Sequence, residues 1–519
     1  MPFPSTSTTA IGSVTLDNNL NAQSRLPHIT IQMPVYKESL AAVIAPTIRS
    51  IKVAMSTYAL QGGSTNIFIN DDGLRSLAPY ERESRLRFYQ ANGIGWTARP
   101  NHGEVLRDGT VFVKKGKFKK ASNMNYGLAL SCRVEDLLDK VERAQDWTQT
   151  DEDSAYETAF ERVLREDYPD ALASGNLRIG DYILLIDSDT RVPADCLLDS
   201  VNEMEQSPEV GILQFVSGVM QVQRDYFENG ITFFTELIYS AIRYTVSNGD
   251  VAPFVGHNAL LRWSAVQSVS FSDGKDEGGQ VDRPEKDAGG AGNCEGRQQP
   301  KFWSESHVSE DFDMSLRLQC AGYIIRLAAY PCLSSSPPTD DSTLTAVKHG
   351  TAFLEGVSLT VYDELARWEK YAFGCNELLF HPLSSWPRCG PFTPLFLKFL
   401  TSSSIKFTSK VTIISYIGTY YAIGAAWIAT FVNYFLVGWY NGYLDQYYID
   451  SWKVWFSLVI VFNGLGNVGL AAMRYRDEDT RDLSGGRKVM GFVGHCELTS
   501  KYLLDVCVSR SGGLARLAL

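Results

Sequence analysis

Between positions 28 and 216 the chain alternates short apolar runs with longer stretches of helical period. HITIQMPVY (28–36) is β-branched and apolar and predicts a buried strand. KESLAAVIAPTIRSIKVAM (37–55) repeats its apolar positions with a helical period. NIFIND (66–71) predicts a second strand, stopped by Asp72-Gly73. Val111–Phe112–Val113, with KKGKFKK behind it, predicts a hairpin around Gly116. Ser122 is placed to cap a helix from about Asn123. YILLID (182–187) and VGILQFV (210–216) are nearly all apolar, as strands buried on both faces of a parallel sheet are. Strands alternating with helices argue for an α/β sheet. Residues 1–26 read as a polar, disordered leader, 133–170 as acidic surface helices, and 271–300, with seven Gly, as a loop. No internal repeat is present.

The C-terminal fifth has a different pattern. Between Lys410 and Asp445 lie 34 consecutive uncharged residues, and between Lys453 and Arg474 another 20. A bilayer core about 30 Å thick is crossed by about 20 apolar helical residues, so 411–473 predicts two transmembrane helices. The loop Asn441–Ser451 has no Lys or Arg, whereas Arg474, Arg476, Arg481, Arg487 and Lys488 follow the second span. Positive-inside logic then puts the bulk of the chain, 27–390, and the tail 474–519 in the cytosol. Trp439, Tyr440, Tyr443, Trp452 and Trp455 crowd the span ends as an aromatic belt would. Residues 391–410 mix large apolar side chains with only Lys398, Lys406 and Lys410, the pattern of a helix lying on the cytosolic leaflet.

Composition narrows the class. A chain of 519 residues, 45% hydrophobic and 21% charged, supports a large core and excludes global disorder. The net charge of −11 argues against nucleic acid as a partner. Thirteen Asp/Glu against five Lys/Arg within 133–170 account for −8 of it. The nine cysteines are scattered, with no C-x-x-C, so neither a disulfide framework nor a structural zinc site is expected.

Acidic residues stand where apolar strands end: Asp71-Asp72-Gly73 after 66–70 and Asp187-Ser188-Asp189 after 182–186, with Ser309-Glu310-Asp311 beyond the Gly-rich loop. Ligands of open α/β sheets bind beyond the carboxyl ends of strands. Carboxylates gathered there repel one another unless a hard divalent cation joins them, and such a cation also bridges to phosphates. An Asp-x-Asp at a strand end directs both side chains to one face, as a metal–diphosphate clamp requires.

These residues resemble the family 2 glycosyltransferases, in particular their processive membrane branch of cellulose, hyaluronan and chitin synthases. The resemblance covers about residues 28–380, and seven motifs run in family order. They are Gln32-Met33-Pro34-Val35-Tyr36-Lys37-Glu38, Asp71-Asp72-Gly73, Lys120-Ala121-Ser122-Asn123-Met124-Asn125, Asp187-Ser188-Asp189, Phe254-Val255-Gly256-His257-Asn258-Ala259, Ser309-Glu310-Asp311 and Glu364-Leu365-Ala366-Arg367-Trp368. The resemblance implies a GT-A-like (Rossmann-like) mixed sheet flanked by helices, followed by C-terminal transmembrane helices. It implies inverting transfer from a nucleotide-diphosphate sugar, a UDP-sugar first among them, to a growing polysaccharide. In that reading Asp311 is the general base. Asp189, supported by Asp187, holds Mg2+ or Mn2+. Asp71 or Asp72 meets the base, and Lys120, Asp187, Arg367 and Trp368 complete the nucleotide-sugar site. Gly256, His257, Glu310 and Trp368 face the acceptor, with Trp368 stacking on a sugar.

Three departures from the family pattern stand out. Glu364 replaces Gln, and a carboxylate near a diphosphate is unfavourable unless paired or turned away. His257 stands where Ser or Thr is common. Two spans do not enclose a pore, which leaves open a longer chain, a homo-oligomer or a product that is not extruded. Transfer to a lipid-linked acceptor and a silent sugar-nucleotide-binding scaffold are the competing readings. A plasma-membrane or Golgi location is expected for the enzyme. Gly464-x-Gly466-x-x-Gly469 lies inside the second uncharged run and reads as helix packing, not a dinucleotide site.

Overall fold

The structure is a computed structural model and describes residues 26–115, 119–223, 225–272, 300–329, 353–439, 445–458, 460–461 and 468–469. β1 (His28–Val35) is followed by a π-helical turn, Leu40–Ile44, which Ser39 caps by accepting from the Ala42 N–H at 3.3 Å. The turn runs into α1 (Ala45–Leu60), and β2 (Ser64–Asp71) returns beside β1. α2 (Pro79–Ala91) starts on a proline, where no N–H is needed. β3 (Gly95–Ala98), α3 (Lys120–Leu138), α4 (Gln149–Glu166), β4 (Leu172–Ser174) and β5 (Tyr182–Leu185) come next. α5 (Cys196–Gln206), β6 (Val210–Phe215), β7 (Ser217–Val219) and α6 (Tyr226–Ser247) lead to β8 (Ala259–Arg262) and α7 (Trp263–Ser268). β9 (Phe271–Ser272) and β10 (Pro300–Lys301) form a short antiparallel pair. α8 (Glu310–Cys320), β11 (Ile324–Ala328), β12 (Phe353–Glu355), α9 (Val361–Leu379), α10 (Trp386–Cys389), α11 (Pro394–Thr401), α12 (Phe407–Trp439) and α13 (Asp445–Leu458) complete the order.

Eight strands form one mixed sheet in the order β11-β6-β8-β5-β1-β2-β3-β4. β5, β1, β2 and β3 are parallel neighbours, while β8 is antiparallel to both β5 and β6. Register decides what meets at the top of the sheet. Val35 pairs with Asp71, and Leu185 with Ala259. Because β8 runs the other way, its starting end lies at the carboxyl end of β5, and the preceding residues Gly256–Asn258 arrive beside Asp187. The period of two along the strands splits the core into two layers. Ile29, Ile31, Met33, Ile67, Ile69 and Leu184 pack with Ile48 and Ile51 of α1 and Leu197 and Val201 of α5. Ile183, Leu185, Ile212 and Leu261 pack with Met124 and Leu128 of α3 and Met314 and Leu318 of α8 on the other face. The mixed α/β sheet flanked by helices agrees with the expected GT-A-like fold.

Several expectations are corrected. The hairpin expected around Gly116 falls on residues outside those described, and Val111 bridges to Val105 across Asp108-Gly109. Ser122 does not cap α3. The helix begins at Lys120, and the Ser122 hydroxyl donates to the Lys115 carbonyl at 2.7 Å while accepting from Arg99. The loop expected over 441–451 is helical from Asp445 onward, within α13. The acidic segment is helical at both ends, as expected, in α3 and α4. Residues 1–25, 273–299, the tail from 474, most of the second expected span and the Gly464–Gly466 motif lie outside the described residues.

In place of one interfacial helix over 391–410, α11 buries Leu395, Phe396 and Phe399 beside Leu316 and Leu378 and exposes Leu397 and Leu400. α12 has 33 residues, about 50 Å at 1.5 Å per residue. Its first turns pack Ile413, Ile417 and Tyr420 near Phe312, Trp368, Cys375 and Leu379. Further along, Ile428, Phe431, Val432, Tyr434, Phe435 and Trp439 are exposed. Among the described residues, the one helix long and apolar enough to cross a membrane is Leu40–Leu60, and its Ile48, Ile51, Ala54 and Tyr58 are buried against the sheet.

Candidate active site

The acidic pair after β2 is held from inside. Asp71 is fully buried and accepts from Arg85 at 3.0 Å, from the Tyr89 hydroxyl at 2.9 Å and from the Gly73 N–H at 3.1 Å. Burial pushes its carboxyl up, and Arg85 opposes this. With no exposed surface and its oxygens occupied, Asp71 shapes the turn and does not meet a ligand, which corrects the expectation that it contacts a base. Asp72 is held by Arg99 and Lys114, each at 2.7 Å, and remains slightly exposed. Gly73 is required at the turn, since a Cβ there would stand 1.7 Å from the Tyr36 carbonyl oxygen.

β5 ends one residue before Ile186, whose N–H donates to the Gln32 carbonyl at 3.1 Å, and this keeps the Asp187-Ser188-Asp189 turn level with the ends of β1 and β2. Asp187 Oδ1 accepts from Lys120 Nζ at 2.7 Å, and Oδ2 lies 3.7 Å from His257 Nδ1. Burial works against the Asp187 anion, but Lys120 and then His257 bring its pKa down to about 2. Burial also works against the Lys120 ammonium, and Asp187, Glu310 and Asp311 together hold it above the ordinary lysine value. For His257, burial is outweighed by Glu355 and Asp187, which lift the imidazole to about 9. Asp189 differs from Asp187. Burial first, then Asp187 and Glu355, push its carboxyl up.

A second acidic group stands at the start of α8. Glu310 and Asp311 open that helix, and the Phe312 N–H donates to Asp311 Oδ1 at 2.8 Å. Burial raises Asp311, while Phe312 N–H, Lys370 and Lys120 oppose it. Burial and then Asp311 raise Glu310. Gly256, at φ +81°, lies against Asp311, and a Cβ there would stand 3.1 Å from Asp311 Oδ2. The same glycine's carbonyl accepts from Lys120 Nζ at 3.3 Å. Lys120 and the Gly256-His257 loop thus join Asp187 to Asp311, whereas Asp71 and Asp72 are held by a separate set of cations.

α9 supplies the remaining predicted residues. Glu364 is buried and accepts from Trp368 Nε1 at 2.8 Å, and its other oxygen lies 3.6 Å from Arg367 Nη1. The carboxylate that departs from the family pattern is therefore paired. The Trp368 ring lies 6.3 Å from Phe234 and 6.1 Å from Tyr371. Gly374 lets α9 cross the start of α8, since a Cβ there would be 1.9 Å from Ser309 Oγ. Sequence reasoning missed Arg85, Arg99, Glu355 and Lys370, none of which lies in a motif, and read Lys114 as part of a solvated lysine run, whereas it is buried on Asp72. Arg99 and Glu355 stand at strand ends and Lys370 on a motif-bearing helix, but Arg85 lies mid-helix in α2 with no local signal.

Among the described residues no three His, Cys, Asp or Glu side chains form a set able to hold a metal ion unaided. The donors present still suit a hard cation. Asp189 offers carboxylate oxygens beside the further negative charges of Asp187 and Glu355, and a cation that completes its shell with phosphate oxygens and water needs few protein ligands.

Residues 182–443 match the family described as glycosyl transferase family group 2. No curated protein matches the chain. Among solved structures, the chain is similar to the mannosyltransferase PcManGT from Pyrobaculum calidifontis in complex with GDP-Man and Mn2+. The identity is 11% over 85% of this chain and 88% of that one, with a TM-score of 0.32. It is also similar to S. aureus TarS, at 10% identity over 75% of this chain and 42% of that one, with a TM-score of 0.32.

Proposed function

The chain belongs to glycosyl transferase family group 2, and from that premise we propose an inverting glycosyltransferase of the processive membrane branch. It moves a sugar from a nucleotide-diphosphate sugar, a UDP-sugar in the first instance, onto a growing polysaccharide. Asp311 takes the proton of the acceptor hydroxyl as that oxygen attacks the anomeric carbon. The bond from that carbon to the diphosphate oxygen breaks, its electron pair leaves with the nucleotide diphosphate, and the configuration inverts. A base of raised pKa suits this step, because it holds a proton well while remaining available as an anion. Lys120 keeps positive charge between the donor and acceptor sides, and Arg367 offers a fork that matches phosphate geometry. Asp189 and Asp187 would hold Mg2+ or Mn2+, which when bound neutralises the departing diphosphate. Trp368 faces the acceptor, with Gly256, His257 and Glu310 beside it.

The observation that carries this reading is the convergence of Asp187 and Asp311 on Lys120 and the Gly256-His257 loop. One observation favours a second reading, a single transfer to a lipid-linked acceptor at the cytosolic leaflet. The first turns of α12 pack against Phe312, next to Asp311, and near Trp368. We place the catalytic part, 27–390, in the cytosol of a plasma-membrane or Golgi enzyme, anchored by spans within 411–473. The test uses the full chain in detergent with labelled UDP-glucose, UDP-GlcNAc and GDP-mannose and Mn2+. Asp311→Asn is expected to bind donor and transfer nothing. Undiminished transfer by that variant sinks the mechanism, binding without turnover by the wild type supports a silent scaffold, and product length separates the two enzymes.

A further inference from the structure

We propose that the segment Leu354–Gly356 is a strap that positions the Asp187-Ser188-Asp189 turn, with Glu355 as a positioning residue acting through His257 and Asn258. This rests on the donor-side reading of Asp187 and Asp189 above, and it adds residues outside every motif.

The strap stands apart from the main sheet. β12 pairs in parallel with β7, and Leu354 exchanges both backbone hydrogen bonds with Arg191, at 2.7 and 3.1 Å. Arg191 follows Asp189 by two residues, so this bridge fixes the height of Glu355 and Gly356 over the turn. Glu355 Oε2 then contacts His257 Nε2 at 2.5 Å and accepts from Asn258 Nδ2 at 3.1 Å. The other nitrogen of the same imidazole is 3.7 Å from Asp187 Oδ2. A ring held by a carboxylate on each side does not rotate freely. Asp187, with Lys120 Nζ on Oδ1 and the His257 ring facing Oδ2, has a partner on each oxygen that sets its plane.

Asn258 carries the tie to the far end of the turn. Its Oδ1 accepts from Thr190 Oγ1 at 3.3 Å, and its Nδ2 also donates to Ser217 Oγ at 2.8 Å. Its φ of +49° is left-handed, a strained conformation that persists where surrounding contacts over-determine it. Gly356 completes the strap. A Cβ there would lie 2.4 Å from Asp189 Oδ2, so a larger residue at this position would push that carboxylate aside. Glu355 thus orients the first Asp of the turn through an imidazole, and its neighbour shapes the space around the second.

The test measures Mn2+ binding by electron paramagnetic resonance on the full chain in detergent, alone and with UDP or GDP, together with the melting temperature. Asp189→Asn is the control and is expected to lose the bound ion. Removing an outer partner of a metal-binding side chain weakens binding about 10–100-fold, and Glu355→Gln, which keeps the side chain's volume, is expected to do the same at an unchanged melting temperature. His257→Gln is expected to match it, and the double variant to lose no more than the weaker single, because the two residues act in series. Gly356→Ala is expected to abolish binding by crowding Asp189. Wild-type affinity in Glu355→Gln or in Gly356→Ala, or additive losses in the double variant, overturns the strap while leaving the donor-side reading intact. A wild-type chain that binds no Mn2+ with either nucleotide overturns that reading and the strap with it.

Discussion

Asp71 and Arg85 form a buried pair in which the Tyr89 hydroxyl and the Gly73 N–H satisfy the carboxylate's remaining capacity. Removing one partner of such a pair leaves a charge in the core, at a cost of about 3–5 kcal/mol. Arg85→Met is therefore expected to unfold at clearly lower denaturant, and Arg85→Met with Asp71→Asn to recover part of the loss, as chemical unfolding monitored by fluorescence would show. Unchanged stability in the single variant would refute the buried-charge account. The acids at the strand ends were visible in the letters, but their availability was not. Arg85 lies 14 residues from Asp71, and Arg99 lies 27 from Asp72. No local pattern says that both of these adjacent carboxylates meet internal cations. Glu364 makes the same point, because its indole and guanidinium partners on α9 turn an unfavourable substitution into a paired one.

The crossing of α9 over α8 is set by a single missing side chain. Gly374→Ala places a methyl group 1.9 Å from Ser309 Oγ and 2.9 Å from Ser309 Cβ, two residues before Asp311. Transfer is expected to fall at least tenfold as the base shifts, since displacements of about 1 Å at reacting groups cost on the order of 100-fold. Ser309→Gly in the same chain is expected to restore most of it, and failure to rescue would mean that the crossing does not position Asp311. In α4 the exception to a solvated acidic face is Glu152, which accepts from Arg143, Trp147 and Arg178 at 3.0–3.1 Å. Arg143 first, then Trp147 and Arg178, lower its carboxyl from 4.5 to about 2. A depressed folded pKa stabilises above the unfolded value and loses that contribution as pH falls through the folded one. The protection of α4 amides, measured by hydrogen exchange relative to the intrinsic rate at each pH, is therefore expected to fall between pH 4.5 and about 2, and Glu152→Gln to remove that pH dependence. The helices themselves were legible because their apolar period is local. The Thr148–Asp151 capping box that starts α4 has its own short-range signature, whereas the Glu152 network joins two separate segments.

Across the whole molecule, α12 leaves the catalytic part with its first turns packed on α8 and α9 and its later side chains exposed and apolar. The full chain is therefore expected to stay in the membrane fraction after alkaline carbonate, and its release into the supernatant would argue against spans in 411–473. The sequence by itself determined the α/β alternation, the acids at strand ends and the long uncharged runs, because each depends on periodicity or composition within a few residues. Only the tertiary structure decided which acids remain available and which neighbours orient them. Register and the reversed direction of β8 bring Gly256–Asn258 to Asp187, and β12 brings Glu355 from nearly 100 residues away, and such distances along the chain leave no local trace.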